Sequence, residues 1–266
     1  MTRKIGFALA LAAALGLADT AGTDIWDPGD NVAVSHNEIT HGIAQAHDLG
    51  VQAGPAPDQD WYMISQQPFA CYEILADGFT FDVSPYFGTT LQRVTSAGTV
   101  LQDSVAYGAG IGLARSLRFS NDTSIVINNQ YVLVANAGCT TSCGTQDEYR
   151  IRAWETTIAV PRYNNFGGQV TVLIIQNTEE GGVSGNARLW TASGGSTPVT
   201  TVAFTLGPRQ ASVVNLSSVN GGTANGTSGT ITITHNGRYG QLAVKAVALE
   251  PATGFSFDSP GLYKPH

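Results

Sequence analysis

Short runs of β-forming residues, each stopped by Gly, Asp, Asn or Ser, restrict the folds open to this chain more than any other feature. Between residues 60 and 155 such runs fall at 60–65, 70–76, 89–94, 113–119, 123–127, 130–136 and 148–154, the punctuation expected of a sandwich of short strands. Composition leads the same way. Only 12% of the 266 residues are charged and 31 are Gly; scarce Lys, Glu and Met beside abundant Thr, Val, Ser and Gly exclude coiled coils and helical bundles. The formal charge of −7 comes without any Lys/Arg run, so neither nucleic acid nor an anionic membrane surface is expected as a partner.

Residues 1–18 have the layout of a secretory signal peptide: Arg3 and Lys4, an apolar stretch over 5–17, then Gly16 and Ala18 before Asp19. This predicts an exported protein, secreted and extracellular or held at the cell surface. The apolar stretch is too short and Ala-rich to span a bilayer, and no later stretch reaches about 18 apolar residues, so no membrane insertion is expected. A leader over 19–38 carries the turn signal Asp27-Pro28-Gly29-Asp30, and a strand-like stretch follows at 39–44. In an oxidising compartment Cys139 and Cys143, which flank Thr-Thr-Ser between two strand-like runs, are expected to close a disulfide. Cys71 is left over. Its setting, Phe69-Ala70-Cys71-Tyr72-Glu73-Ile74, is a strand pattern and predicts a buried thiol acting as a small hydrophobe.

Trp154-Glu155-Thr156-Thr157 reads as the end of one β-sandwich domain, over 39–157, and a second occupies 158–258 before a tail at 259–266. Alternation is stronger in the second. Val170, Val172 and Ile174 share one face, as do Val202, Phe204 and Leu206, and Ile231 with Ile233 alternates with Thr230, Thr232 and Thr234. Each set is expected to be the buried face of a half-wet strand. About seven strands in roughly a hundred residues predicts an immunoglobulin-like sandwich, and Asn236-Gly237 between β runs predicts a tight hairpin.

Asp58-Gln59-Asp60-Trp61-Tyr62, followed by Cys71-Tyr72-Glu73-Ile74, Tyr131-Val132-Leu133-Val134 and Tyr149-Arg150-Ile151-Arg152, resembles the bacterial pre-peptidase C-terminal domain over roughly residues 31–155. The resemblance implies a jelly-roll-like β-sandwich of the kind attached to secreted hydrolases and surface proteins, some relatives binding calcium, collagen or polysaccharide. No hydrolase domain accompanies it in this sequence. The second half resembles C-terminal modules of uncharacterised exported bacterial proteins, a likeness that carries no activity. The expected fold class is all-β, with two β-sandwich domains, jelly-roll-like and then immunoglobulin-like.

No catalytic constellation emerges from the residues. His36-Asn37-Glu38-Ile39-Thr40-His41 differs from a zinc-protease motif, which needs histidines four apart on one helical face with Glu next to the first; spaced by five, these diverge on a helix or a strand, and solvated loop histidines are expected. Gly182-Val183-Ser184-Gly185 lacks the spacing of a nucleophile elbow. A dispersed triad would draw its base from His36, His41, His47, His235 or His266, all in turn-like or terminal settings. Asp27, Asp30, Asp58 and Asp60 form the one candidate set for a hard cation, calcium, whose binding wants carboxylate and carbonyl oxygens on loops; the same residues could instead shape turns. Phe79, Phe81, Tyr86 and Phe87, broken by Ser84-Pro85 and bounded by Gly88, are either a ligand-binding aromatic surface or sandwich core. These features predict a non-enzymatic binding or adhesion protein recognising an extracellular polysaccharide or protein. The alternative is a structural subunit that assembles with copies of itself through strands with few blocking charges; a secreted hydrolase ranks behind both.

Overall fold

The computed structural model describes residues 37–49, 59–78, 89–107, 114–136 and 148–265. The first half contributes β1 (Ala44–Asp48), β2 (Gln59–Met63), β3 (Ala70–Asp77), β4 (Thr89–Thr95), β5 (Val100–Asp103), β6 (Val105–Tyr107), β7 (Ala114–Asn121), β8 (Gln130–Asn136) and β9 (Glu148–Glu155). They form two antiparallel sheets, ordered β1-β9-β3-β7-β6 and β2-β8-β4-β5. The chain thus pairs from its two ends inward: β1 with β9, β2 with β8, β3 with β7, and β4 with β5. Nested pairing shared between two sheets is the order of a jelly roll. Most strands lie where the run pattern places them. The exceptions are β5 and β6, which no expected run covers, the 39–44 stretch, whose strand starts at Ala44, and 123–127, which is a bend with a single bridge between Gln66 and Ile127.

Tyr62, Ile74, Leu91, Leu117, Val134, Tyr149 and Ile151 are among the buried side chains between these sheets. Each such aliphatic side chain contributes about 1.5–3 kcal/mol on leaving water. β3 is buried at each of its first seven positions. Tyr72, Ile74 and Ala76 belong to this core, while the opposite parity of β3, Cys71, Glu73 and Leu75, is buried outside it. Its run of Ala-Cys-Tyr-Glu-Ile-Leu-Ala has the near-continuous apolar character of a strand covered on both faces.

The second half contributes β10 (Ile158–Asn164), β11 (Val170–Asn177), β12 (Val183–Thr191), β13 (Thr200–Leu206), β14 (Ala211–Asn215), β15 (Ser228–His235), β16 (Leu242–Glu250), β17 (Phe255–Pro260) and β18 (Leu262–Tyr263). Its sheets are ordered β13-β12-β15-β10-β18 and β14-β11-β16-β17. Adjacent β12 and β15, with β11 beside β14 in the facing sheet, are the central pairs of an immunoglobulin-like sandwich. The first and seventh strands, β10 and β16, stand in exchanged places, beside β15 and β11 respectively. A register shift between Val160 and Tyr163 brackets Pro161, which has no N–H to give to the ladder. Strand pairing continues through residues 259–263, the segment expected as a tail.

Two expectations for this half are corrected. In β11 the buried face is Thr171, Leu173, Ile175 and Asn177, so Val170, Val172 and Ile174 point outward. Alternation cannot choose a face in a strand that is apolar on both, and polar residues at its ends decide. The Thr171 hydroxyl donates to the Asn164 carbonyl at 2.7 Å, and Asn177 Nδ2 donates to the Gly181 and Gly207 carbonyls at 2.6 and 2.8 Å. These are bonds that only the inward face offers. Val202, Phe204 and Leu206 lie on the inward face as the alternation predicts, Val202 partly buried, and Ile231 and Ile233 are fully buried. The Asn236-Gly237 hairpin does not form. β15 already has β10 and β12 on its two edges, so the chain after His235 crosses to the other sheet, and the Asn236 backbone pairs with Ser184.

Candidate functional site

Phe79, Phe81, Tyr86, Phe87, Asp27, Asp30, Asp58, Cys139 and Cys143 lie outside the described residues. Asp60 is on β2, buried in the first core, where Tyr149 donates its hydroxyl to Oδ2. Tyr149 in turn accepts from Tyr62 at 2.5 Å, because its single proton is committed to Asp60. Burial, then the Asp60 charge, hold the Tyr149 hydroxyl well above its ordinary pKa. His47 stacks on Tyr149 and meets Tyr62 edge-on. It is a buried residue, against the expectation of solvated loop histidines, and His41 is tied down as well, its Nδ1 accepting from the Glu155 N–H at 2.8 Å. His47 is buried and His41 half-buried because β1 and the segment before it lie against β9. Among the described residues, no three His, Cys, Asp or Glu side chains gather closely enough to hold a metal ion.

The outer face of β3 meets the second half. Cys71 Sγ receives the Thr156 hydroxyl at 3.1 Å and the His235 backbone N–H at 3.3 Å. Glu73 receives the Ser116 hydroxyl at 3.1 Å and the Tyr239 N–H at 2.9 Å. His235, expected in a turn, is the buried last residue of β15. Its Nε2 donates to the Thr156 carbonyl at 2.9 Å and its Nδ1 accepts from the Gly237 N–H at 3.1 Å. With both ring nitrogens committed to the backbone, His235 cannot serve Cys71 as a base. Burial raises the thiol to about 11 and lowers the imidazole to about 4, the reverse of what an activated Cys–His pair requires.

Cys71 is the buried hydrophobe expected from its strand. The folded protein should therefore leave it unreactive toward a thiol reagent at pH 8. In guanidinium a single thiol should titrate if Cys139 and Cys143 are bridged, and all three of the chain's cysteines if they are not. Fast labelling of Cys71 in the folded state would contradict its placement.

Farther along the same joint, Arg188 is buried on β12 and reaches back to the first half. It hydrogen-bonds the Thr234 hydroxyl at 2.7 Å, pairs with Asp122 at 2.5 Å and lies over the Phe69 ring. Phe69 takes a φ of 51° and packs edge-on against Trp190 at 5.0 Å. A bulky residue in the left-handed region is strained, and these cross-joint contacts hold it there.

Beside these contacts the halves leave a cleft of about 550 Å³. β4 contributes Arg93 and β7 contributes Arg118 and Phe119; across from them stand Ser184 and Asn186 of β12 and Phe204 and Thr205 of β13. Gly185 lies at its floor, where a Cβ would stand 2.1 Å from the Thr234 carbonyl oxygen, so only glycine fits between β12 and β15. The Arg93 guanidinium stacks over Phe119, 4.7 Å from the ring centroid, and Nη1 makes one long contact, 3.4 Å, to Gln130. Its Nε is buried without an acceptor among the described residues. Arg118 reaches across the joint to the Asn236 carbonyl at 3.3 Å. Among the described residues neither arginine has a carboxylate within ion-pair distance, whereas Arg150 and Arg152 meet Asp77, Arg209 meets Glu180 and Arg238 meets Glu179. Sequence reasoning passed over Arg93, Arg118 and Asn186 because each is a single polar residue on its own strand, and only the docking of two sandwiches assembles them. Comparison with known proteins finds no protein family whose model matches the chain and no curated protein that matches it.

Proposed function

We propose that this is an exported, non-enzymatic binding or adhesion protein that recognises an extracellular polymer or surface, and that the cleft between its halves is the site. The observation that carries the reading is the cleft's lining, in which hydroxyl and amide groups, aromatic rings and two arginines without carboxylate partners among the described residues converge from four strands of both halves. Such a mixture of apolar walls and a few convergent polar groups is what ligand sites present. The Cys71 and His235 geometry supports a binding role over a hydrolytic one at this joint. Polysaccharide and matrix-protein arrays test the proposal. The protein should capture at least one polymer, and Asn186→Trp, which fills the cleft, should abolish capture with the thermal midpoint retained. Capture undiminished by Asn186→Trp would place the site elsewhere.

A second reading, assembly with copies of itself, is favoured by one observation. The outward face of β14-β11-β16-β17 carries Val170, Val172, Ile174, Val213, Val247 and Leu249, paired across strands as Val170 with Leu249, Val172 with Val247 and Ile174 with Val213. Val213 is 68% exposed. Lys245 and Asp258 on the same face neutralise each other at 3.1 Å, so two copies of an acidic chain could approach there without repulsion. At about 3.3 Å per residue and 4.8 Å between strands the face measures roughly 450 Å². Two such faces would bury about 900 Å², the size of a weak, concentration-dependent association.

A further inference from the structure

We infer that the group this cleft receives is an anion, the carboxylate or sulfate ester of an acidic polysaccharide, held by Arg93 with Arg118. The inference rests on the reading of the cleft as the binding site. Arg93 is half-buried, and its guanidinium lies over the Phe119 ring. Removing a cation from water without a counter-charge is costly, and here burial lowers the guanidinium's affinity for its proton. An incoming oxyanion in the cleft that Arg93 lines would supply the missing counter-charge. Arginine's donor fork suits a planar carboxylate or a sulfate by two parallel hydrogen bonds. Arg118, lining the same cleft, adds a second positive charge.

A sugar is the better carrier of that anion than a nucleic acid. The chain has a formal charge of −7, which repels an extended polyanion everywhere but at such a local pair. The other wall offers Ser184, Asn186 and Thr205, hydroxyl and amide groups that match the spaced hydroxyls of a saccharide. A volume of about 550 Å³ falls within the range of small-ligand sites, room for a short stretch of a glycan that passes through the open cleft.

The test uses the full-length mature protein and three immobilised polymers: polygalacturonate for carboxylate, dextran sulfate for sulfate, and neutral dextran. One of the two acidic polymers should bind, with affinity falling as salt rises, and neutral dextran should not. Arg93→Gln should weaken binding about tenfold or more, and Arg93→Lys should recover only part of it, because a point charge cannot form the paired bonds. Arg118→Gln should also weaken binding, while Arg162→Gln, an arginine stacked on Phe257 outside the cleft, should leave it unchanged. If an Arg93 variant fails to fold, competition by free galacturonate or sulfate against the wild-type protein gives the same answer. Equal binding of neutral dextran, or acidic-polymer binding indifferent to both arginines, overturns the inference. Loss of neutral-glycan capture in Asn186→Trp with Arg93→Gln silent would keep the cleft as the site and reject the anion alone.

Discussion

Acidification from pH 6.5 to pH 4 should remove about 3 kcal/mol of folding stability through His235 alone. Its pKa falls from 6.5 to about 4 in the folded protein, first because of burial and then because of the charge of Arg118, with the Thr156 carbonyl working the other way. The unfolded chain therefore binds the proton more readily. Stability from this residue is complete above pH 6.5, drains as the pH falls toward 4 and is gone below it, at about 1.4 kcal/mol per pH unit between those limits. Glu73, packed at the same joint, works in the opposite sense. Burial raises its pKa, so its contribution is greatest when protonated and declines as pH rises above the ordinary carboxylate range. Urea unfolding at pH 7.5 and pH 4.5 separates the two. His235→Gln, which can still donate to the Thr156 carbonyl, should be less stable at pH 7.5 but lose the slope between 6.5 and 4. A slope that survives in the variant would assign the acid sensitivity to another group.

Leu173→Ala and Val172→Lys, substitutions at neighbouring residues, should have opposite consequences. Leu173 is fully buried between the sheets of the second half, so truncation should cost about 2–5 kcal/mol by lost transfer energy and cavity formation. Val172 faces outward beside Val247. Its replacement by Lys should change stability by no more than about 0.5 kcal/mol and should abolish self-association detected by light scattering at high concentration. Comparable destabilisation by both would mean that both faces of the strand are buried, and destabilisation by Val172→Lys alone would mean that the strand has the other face inward. Self-association that persists in Val172→Lys would reject this sheet face as the contact between copies.

The contrast between Leu173 and Val172 also shows where sequence reading stops. In β15, Thr alternates with Ile, so the burial of Ile231 and Ile233 follows from the pattern alone. In β11, Val-Thr-Val-Leu-Ile-Ile offers apolar groups to both sides, and the decision passes to Thr171 and Asn177, whose partners Asn164, Gly181 and Gly207 come from outside the strand. The Asn236-Gly237 turn failed for a related reason. A dipeptide can favour a hairpin only if the strand before it has a free edge, and β10 and β12 already take both edges of β15.

The amino-acid sequence by itself determined the all-β class, most strand positions in the first half, the inward face of β13 and β15, and the inert burial of Cys71. These depend on short-range periodicity and on local punctuation, which act within a few residues. The jelly-roll order of β1-β9-β3-β7 and β2-β8-β4-β5, the joint that covers Cys71, Glu73 and His235, and the meeting of Arg93 and Arg118 with Asn186 and Thr205 were decided only in the tertiary structure. Each depends on contacts between residues dozens to more than a hundred positions apart. Local side-chain chemistry carries no record of which distant strand will become a neighbour, because that outcome minimises exposed apolar surface and unpaired polar groups over the whole chain at once.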